Sequence, residues 1–465
     1  MPNVTFPTSS SPGAKPGEGS GRLVNCYVDK DGDHVAYFRS AGLRAAADTG
    51  FSGPRGMLST PTALYVALQD VLISYDKDGV VTQITSPLSG SKPVTMARNN
   101  AVPSNIAIVT ENGAFTITAG AIVTWPDADV ASPNSVSSLD GYFLFTYGNG
   151  AIIASDLNST NINTLSTAKA ESRPEGLIRG TVSGRQFFAW APGGIEVWDN
   201  AGTPQFPLAR AAVIPVGLLG PWAVAGYEDG WDLTQIFVAS DGTVRRLSGY
   251  QPERISTRAV ERDIASVPAT DLIRAFVYTS GGNAFWVLTS PIWTWEFNAT
   301  TSEWNERRSD EMSRWRALTS AKFNGRWLAG DVASTSLLEI TSASLDEAGA
   351  PLKALAEGVL KDFPARMRVP ALHFDFTTGQ GREAGLDPIE TNPIVALSWS
   401  HDGGASWANP LFRKLGRQGD FERQVRIDNI GRSTPHGTRV RWEVSDPINF
   451  QFRGASAVTL TARRP

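Results

Sequence analysis

The sequence is poor in the residues that build most metal and covalent-catalysis sites. Its 465 residues include a single cysteine, Cys26, and four histidines, His34, His373, His401 and His436. One cysteine excludes an internal disulfide bond and a cysteine-cluster metal site, and no two histidines have the spacing of a zinc-binding helix. We expect Cys26 to be a small buried apolar residue and the protein to need no metal or other cofactor.

Long apolar segments and nucleotide-binding motifs are also missing. No run of about 18 apolar residues is present, as a membrane-spanning helix would need, and residues 1–20 lack the apolar core of a signal peptide. The chain contains no phosphate-binding loop, nucleophile elbow or dinucleotide fingerprint. These absences predict a soluble protein made in the cytoplasm, without membrane insertion and without enzymatic activity.

Charge is scarce and unevenly distributed. Charged residues make up 19% of the chain and the net charge is −4, but from Pro410 onward 11 Arg and Lys accompany 5 Asp and Glu. We single out Arg423, Arg426, Arg439 and Arg441 in this basic stretch as candidate contacts with another subunit, an acidic partner or DNA. A solvated or subunit-contacting sheet face is favoured over DNA contact, because no aromatic stacking pattern accompanies these arginines.

Turn formers and aromatic residues are abundant, with 44 Gly, 29 Pro, 21 Phe and 14 Trp. Alternating apolar runs that end at Gly or Asp-Gly recur over the first three quarters of the chain and predict strand pairs joined by tight turns. Equivalent points in successive units are spaced by 37 to 49 residues and fall at Tyr65, Ile106, Phe143, Phe187, Ile236, Phe285 and Leu328. A repeat of this length with about four strands per unit is typical of a β-propeller blade.

The sequence therefore predicts an all-β fold: a β-propeller of about seven blades and a C-terminal β-rich, sandwich-like module. We divide the chain into a flexible N-terminal arm (1–20), the propeller (21–345) and the module (346–465). The early segment RLVNCYVDKDGDHVAYFRSAGL (22–43) is expected to supply a strand to the last blade, since ring closure removes exposed sheet edges. Two stacked antiparallel sandwiches are the alternative fold.

One short stretch, SWSHDGGASW (398–407), matches the Asp-box hairpin of sialidases in the order S-x-D-x-G-x-S-W. Its residues Ser400, Asp402, Gly404, Ser406 and Trp407 predict a structural turn, in which the carboxylate accepts backbone N–H groups and Gly404 takes a positive φ. The motif occurs once, and no carboxylate pair for glycoside hydrolysis is identifiable. A sialidase-like glycosidase is therefore the weakest alternative function.

Several stretches resemble, in matching order, the packaged-DNA stabilisation proteins of short-tailed bacteriophages, also called tail hub or tail nozzle proteins. They extend over about nine tenths of the chain and include RLVNCYVDK (22–30), AGLRAAADTGFSGPRGM (41–57), AESRPEGLIRG (170–180), FFAWAPGGIEVWDNAG (187–202), TWEFNATTSEWNERR (294–308), LSWSHDGGASWANPLFRKLGRQGDFERQVRIDNIGRS (397–433) and TRVRWEVSDPINF (438–450).

The resemblance implies a structural virion protein that forms a homohexameric ring below the portal and its adaptor. Such a ring extends the channel for double-stranded DNA, retains the packaged genome until DNA ejection, and anchors tailspikes or tail fibres and the tail needle. A carbohydrate-binding, receptor-binding propeller is the alternative, in which exposed tryptophans such as Trp293 or Trp304 would hold a sugar. Against it, the Trp295 and Trp304 pair has the spacing of blade-packing aromatics.

Overall fold

Short strands with alternating buried residues pair with their sequence neighbours throughout the chain. A computed structural model describes residues 3–31, 34–172, 174–360, 368–432 and 437–460. His436 lies outside these residues. The described helical segments are an α-helix at Arg258–Ala265, with Thr257 as its N-cap, and a 3-10 turn at Thr270–Leu272. Everything else that is regular in the described chain is β-strand.

Seven antiparallel four-stranded units form the blades of a propeller, five as separate sheets and two as parts of larger sheets. Blade 1 consists of Pro54–Ser59, Ala63–Leu68, Val71–Asp76 and Val81–Ile84, and blade 2 of Thr95–Arg98, Ile106–Thr110, Gly113–Thr118 and Ala121–Thr124. Blade 3 consists of Ser135–Leu139, Tyr142–Thr146, Ala151–Ser155 and Ile162–Lys169, and blade 4 of Arg179–Ser183, Gln186–Ala191, Gly194–Asn200 and Leu208–Ile214.

The remaining blades follow the same plan. Blade 5 consists of Val224–Ala225, Ile236–Val238, Val244–Ser248 and Gln251–Arg254, and blade 6 of Arg274–Ser280, Asn283–Thr289, Thr294–Asn298 and Glu303–Glu306. Blade 7 takes Ala317–Phe323, Arg326–Asp331 and Ser336–Thr341 from one end of the propeller sequence and its fourth strand, Gly42–Asp48, from the other.

The repeat read from the sequence is confirmed strand by strand. All seven residues taken as equivalent points lie in the second strand of their blades. First strands of neighbouring blades line the centre, and Ala317–Phe323 contacts Pro54–Ser59 to complete the ring. Closure by a strand from the early part of the chain is confirmed, because Leu43 in the outermost strand of blade 7 pairs with Ile340. Only the last two residues of the predicted segment 22–43 belong to that strand, and the strands that precede it in the segment lie in the sandwich. The alternative of two stacked sandwiches is therefore wrong.

The C-terminal module is a two-sheet sandwich. One sheet has the strand order Cys26–Asp31, His34–Arg39, Gln451–Leu460, Arg368–Phe376 and Val425–Arg432, with Asn3–Val4 added to Gln451–Leu460. The other continues from the last strand of blade 6 through Gly19–Val24, Ala354–Leu360, Thr438–Val444, Ile394–Ser400 and Leu411–Lys414, with Ser11–Pro12 added to Gly19–Val24. A short hairpin, Asp346–Glu347 and Ala350–Pro351, extends blade 7.

The N-terminal boundaries expected from the sequence are wrong. The described residues from 3 to 39 all belong to the sandwich, whereas we expected 1–20 to form a separate arm and the residues from 21 onward to belong to the propeller. Thr5 N, for example, donates to Val359 O at 3.0 Å. Val4 and Phe6 are buried in the sandwich core, where the Phe6 and Phe452 ring centroids lie 4.8 Å apart. These two apolar residues and the pairing with distant strands place the segment in the sandwich.

Candidate functional site

The hairpin at 398–407 is built by hydrogen bonds within the turn. Ser400 ends the strand Ile394–Ser400, and its hydroxyl donates to Asp402 Oδ1 at 2.7 Å and accepts from Gly404 N at 2.8 Å. Asp402 accepts from Ser406 N at 2.9 and 3.0 Å and from the Ser406 hydroxyl at 2.5 Å. These bonds, led by the Ser406 hydroxyl, hold the pKa of Asp402 well below its ordinary value.

Glycines and a tryptophan complete the turn. Gly404 has φ of 99°, a conformation that side-chain-bearing residues rarely adopt. Gly403 lies directly against the N-terminal segment, since Gly17 N donates to Gly403 O at 2.8 Å. Trp407 is half-buried beneath the guanidinium of Arg441, whose Cζ lies 3.7 Å from the ring centroid. All the groups that donate hydrogen bonds to the Asp402 carboxylate thus belong to the turn itself.

Two of the four predicted contact arginines are engaged inside the chain. Arg439 is buried, and its Nη2 donates to the backbone carbonyl of Glu18. Arg441 donates to Glu357 Oε1 from Nε and Nη2 at 3.0 and 2.6 Å. Their assignment as a partner surface is therefore wrong for Arg439, because a buried guanidinium cannot meet a partner, and Arg441 is already paired within the sandwich.

The other two arginines lie on the outer surface of the sandwich. Arg423 and Arg426 are exposed, and each pairs with a nearby carboxylate, Asp420 at 2.7 Å and Asp428 at 2.6 Å. Arg426 belongs to Val425–Arg432, which ends its sheet and has no strand hydrogen-bonded along its outer edge in the described chain, although Arg413 Nε donates to Arg426 O at 2.6 Å. Phe421 beside it is 69% exposed, an unusual position for a large aromatic residue.

The tryptophans do not form a sugar-binding platform. Trp293 and Trp304 are buried, and their indole N–H groups donate to the backbone carbonyls of Asp263 at 3.0 Å and Ile255 at 2.8 Å. Trp295 is also buried and packs against Trp304, as predicted for blade packing. Eleven of the 14 tryptophans are buried and the other three are half-buried, so none is fully exposed as a sugar-stacking platform would be.

Cys26 lies in the sandwich core, as predicted. Its thiol donates to Leu355 O at 3.2 Å, and burial raises its pKa to about 12, which keeps the thiol protonated. No group of three or more His, Cys, Asp or Glu in the described ranges is placed to hold a metal ion. No helix in the same ranges is long and apolar enough to cross a membrane.

Sequence reasoning missed the polar centre of the propeller. The first strands of all seven blades surround a cavity of about 380 Å³, and Arg55, Arg179 and Arg274 lie where three of those strands begin. Arg179 falls within a stretch already noted for its resemblance, AESRPEGLIRG. A signal was present, because a basic residue stands first or second in the opening strand of three separate blades, but the alignment of those starts requires the ring.

Comparison with known proteins identifies the family. A family model described as "Bacteriophage P22 Gp10, beta-propeller", a phage protein family of packaged-DNA stabilisation, matches residues 29–344. The chain belongs to this family. The match begins in the sandwich strand Cys26–Asp31, runs through all seven blades and ends just after blade 7.

Two solved structures that match the chain at low sequence identity are the following. Virginiamycin B lyase from Staphylococcus aureus has 14% identity and a TM-score of 0.45 over 64% of this chain and 98% of the lyase. The WD40 β-propeller domain of Doa1 has 11% identity and a TM-score of 0.40 over 64% of this chain and 96% of that domain. A search of curated proteins gave no significant match.

Proposed function

We propose that this phage protein is a non-enzymatic structural component of a short tail. In this proposal a homohexameric ring of the chain docks below the portal and adaptor, extends the DNA channel and retains the packaged genome. The same ring anchors tailspikes or fibres and the tail needle. The observation that carries the proposal is the match to the packaged-DNA stabilisation family over residues 29–344.

The architecture supports a scaffold. The propeller closes on itself through Gly42–Asp48, and its blade 6 continues directly into the sandwich through the pairing of Val24 with Glu306. Arg22 strengthens this junction by binding Glu306 at 2.6 Å. A continuous sheet across the two parts resists hinge motion between them, which suits a protein that must hold a fixed ring geometry.

We assign the subunit or partner contact to the edge of the sandwich. This edge surface consists of the strand Val425–Arg432 and the exposed residues Phe412, Phe421, Arg423 and Arg426. It combines an unpaired strand edge, two exposed aromatic rings and basic side chains, features that are frequent in protein interfaces. The net charge of −4 would limit adhesion of DNA to a channel lined by the chain.

The decisive experiment is reconstitution on DNA-filled, tailless capsids of the same phage. Purified chain is co-sedimented with the capsids, copies per particle are counted, and the vertex is imaged. We expect one hexameric ring at one vertex and reduced DNA leakage. Failure of the wild-type chain to bind capsids would overturn the proposal.

Variants test the edge surface separately. Phe421→Ser combined with Arg426→Glu is expected to prevent ring formation without changing the fold, because both side chains are exposed. Lys77→Glu, an exposed charge reversal in blade 1, is the matched control and should assemble normally. Normal assembly of the double variant would move the contact elsewhere on the molecule while leaving the hub proposal standing.

A further inference from the structure

The centre of the propeller gathers basic side chains at one end. Because the blades are built alike, their first strands run in the same direction, and cross-blade hydrogen bonds join their starting ends: Val94 N donates to Arg55 O at 2.9 Å and Gly180 N to the Ser135 hydroxyl at 2.8 Å. Arg179 and Arg274 begin the first strands of blades 4 and 6. Both therefore lie at the same entrance of the cavity.

Arg179 is held in place but is not satisfied. It is buried, its Nη2 donates to the Tyr227 hydroxyl at 2.8 Å, and its Cζ lies 4.8 Å from the centroid of Trp222. Its Nε and Nη1 have no hydrogen-bond partner in the described chain. The Glu228 carboxylate is near enough to interact electrostatically with Arg179, but it accepts instead from Gly226 N at 2.6 Å and Tyr227 N at 2.9 Å. A buried guanidinium with free N–H groups is costly unless something accepts from them.

Arg274 is a second arginine whose guanidinium makes few hydrogen bonds. Its Nη1 donates a long hydrogen bond of 3.4 Å to Pro54 O, and its other N–H groups have no partner among the residues described. Burial, with contributions from Arg314 and Arg55, lowers the pKa of Arg274 to about 10, so it remains charged at neutral pH. Trp222 connects the two arginines structurally, since its carbonyl accepts from Ala275 N at 2.8 Å.

The rest of the lining is suited to a small anion. Deeper in the cavity the Ser137 and Thr319 hydroxyls also have no partner within the described ranges. Five basic residues line the cavity against three acidic ones, Asp140, Glu228 and Asp229. Burial raises the pKa of Glu228 to about 7, which reduces its negative charge near neutrality.

We propose that the entrance of this cavity binds a small phosphate-class oxyanion at Arg179 and Arg274. Guanidinium groups match the oxygens of phosphate in geometry and charge. A cavity of about 380 Å³ excludes duplex DNA, so the ligand is a free anion or a small phosphate ester. This site lies inside each propeller and does not depend on ring assembly.

The test is calorimetric titration of the purified full chain with inorganic phosphate at low ionic strength. We expect saturable binding of one phosphate per chain, weakened about tenfold or more by Arg179→Gln and by Arg274→Gln, as loss of a charged hydrogen bond predicts. Arg98→Gln, at the opposite end of the cavity lining, is the matched control and should bind as the wild type does. Arg274 is half-buried, so its variant keeps the test valid if Arg179→Gln does not fold.

Three results would overturn the proposal. The first is no saturable phosphate binding by the wild-type chain. The second is an equal loss with Arg98→Gln, which would show binding outside the entrance. The third is binding of citrate or of a short DNA duplex without binding of phosphate, which would assign the cationic groups to a different partner.

Discussion

Removal of Arg307 should destabilise the propeller more than any surface charge change. Arg307 is fully buried beside two buried carboxylates, with Nη1 3.9 Å from Glu296 and Nη2 3.6 Å from Glu347. Its Nη2 donates to Ala41 O at 2.9 Å, and its Cζ lies 4.1 Å from the Trp315 ring centroid. The side chain thus joins blade 6, the hairpin after blade 7 and the chain that enters the closing strand.

The expected magnitude follows from what remains after the substitution. Arg307→Met keeps the volume but leaves two buried carboxylates without their cation, a change that costs about 3 to 5 kcal/mol in unfolding free energy. Burial already raises the pKa of Glu347. Because the pKa of Glu347 is higher in the folded than in the unfolded protein, the free energy of unfolding falls as pH rises above the ordinary pKa of a glutamate. The free energy of unfolding lost in Arg307→Met should therefore be larger at pH 8 than at pH 5.

Urea unfolding followed by tryptophan fluorescence measures the effect at both pH values. Arg326→Met is the matched control, because Arg326 is about one third exposed and lies 3.6 Å from Glu339 in blade 7; its loss should cost less than about 1 kcal/mol. Adding Glu347→Gln to Arg307→Met should recover part of the loss. Equal, small shifts for Arg307→Met and Arg326→Met would refute the reasoning.

Three further perturbations probe other parts of the chain. Leu43→Ala, in the closing strand and fully buried, should cost about 2 to 4 kcal/mol in urea unfolding; wild-type stability would show that ring closure contributes little. Burial raises the pKa of Glu228 to about 7, so the free energy of unfolding falls as pH rises from about 4.5 to 7 and the carboxyl ionises. Glu228→Gln removes this loss, so the free energy of unfolding at pH 8 should rise by about 1 to 2 kcal/mol, a value reduced for water in the cavity, and the melting temperature should rise with it. An unchanged pH profile of the melting temperature would contradict this. Asp402→Ala should speed hydrogen exchange at the Ser406 amide without altering capsid binding, whereas lost binding would make the turn a contact site.

The propeller was predictable because its signal is local and repeated. Each blade is a meander of neighbouring strands, so alternating burial and turn residues appear within a short window of sequence. Seven copies of that signal reinforce one another, which is why residues as far apart as Tyr65 and Leu328 could be assigned to the same strand position. Closure by an early segment was predictable for a different reason: a ring with an unpaired last strand leaves an exposed edge. The argument did not fix which residues close it, and the predicted segment 22–43 reaches only the start of the closing strand Gly42–Asp48.

The sandwich was predicted as a β-rich module, but its N-terminal half was not. Asn3–Val4 pairs with Gln451–Leu460, and Gly19–Val24 with Ala354–Leu360. Such pairings join segments hundreds of residues apart and leave no periodic signal in a stretch rich in Gly, Pro and Ser. The same difficulty applies to Arg439, which sequence composition groups with exposed arginines although the N-terminal segment covers it.

The basic entrance of the cavity consists of residues that lie far apart in the sequence and meet only when the ring closes. Arg179 and Arg274 are 95 positions apart in the sequence, and each by itself is an unremarkable first residue of a strand. Closing the ring brings such first residues to one circle, where like charges accumulate with too few acceptors. Folding alone gains nothing from this arrangement, since unpaired buried donors destabilise the native state. The cost is understandable if an anion supplies the missing acceptors, and the titration of Arg274→Gln decides that point directly.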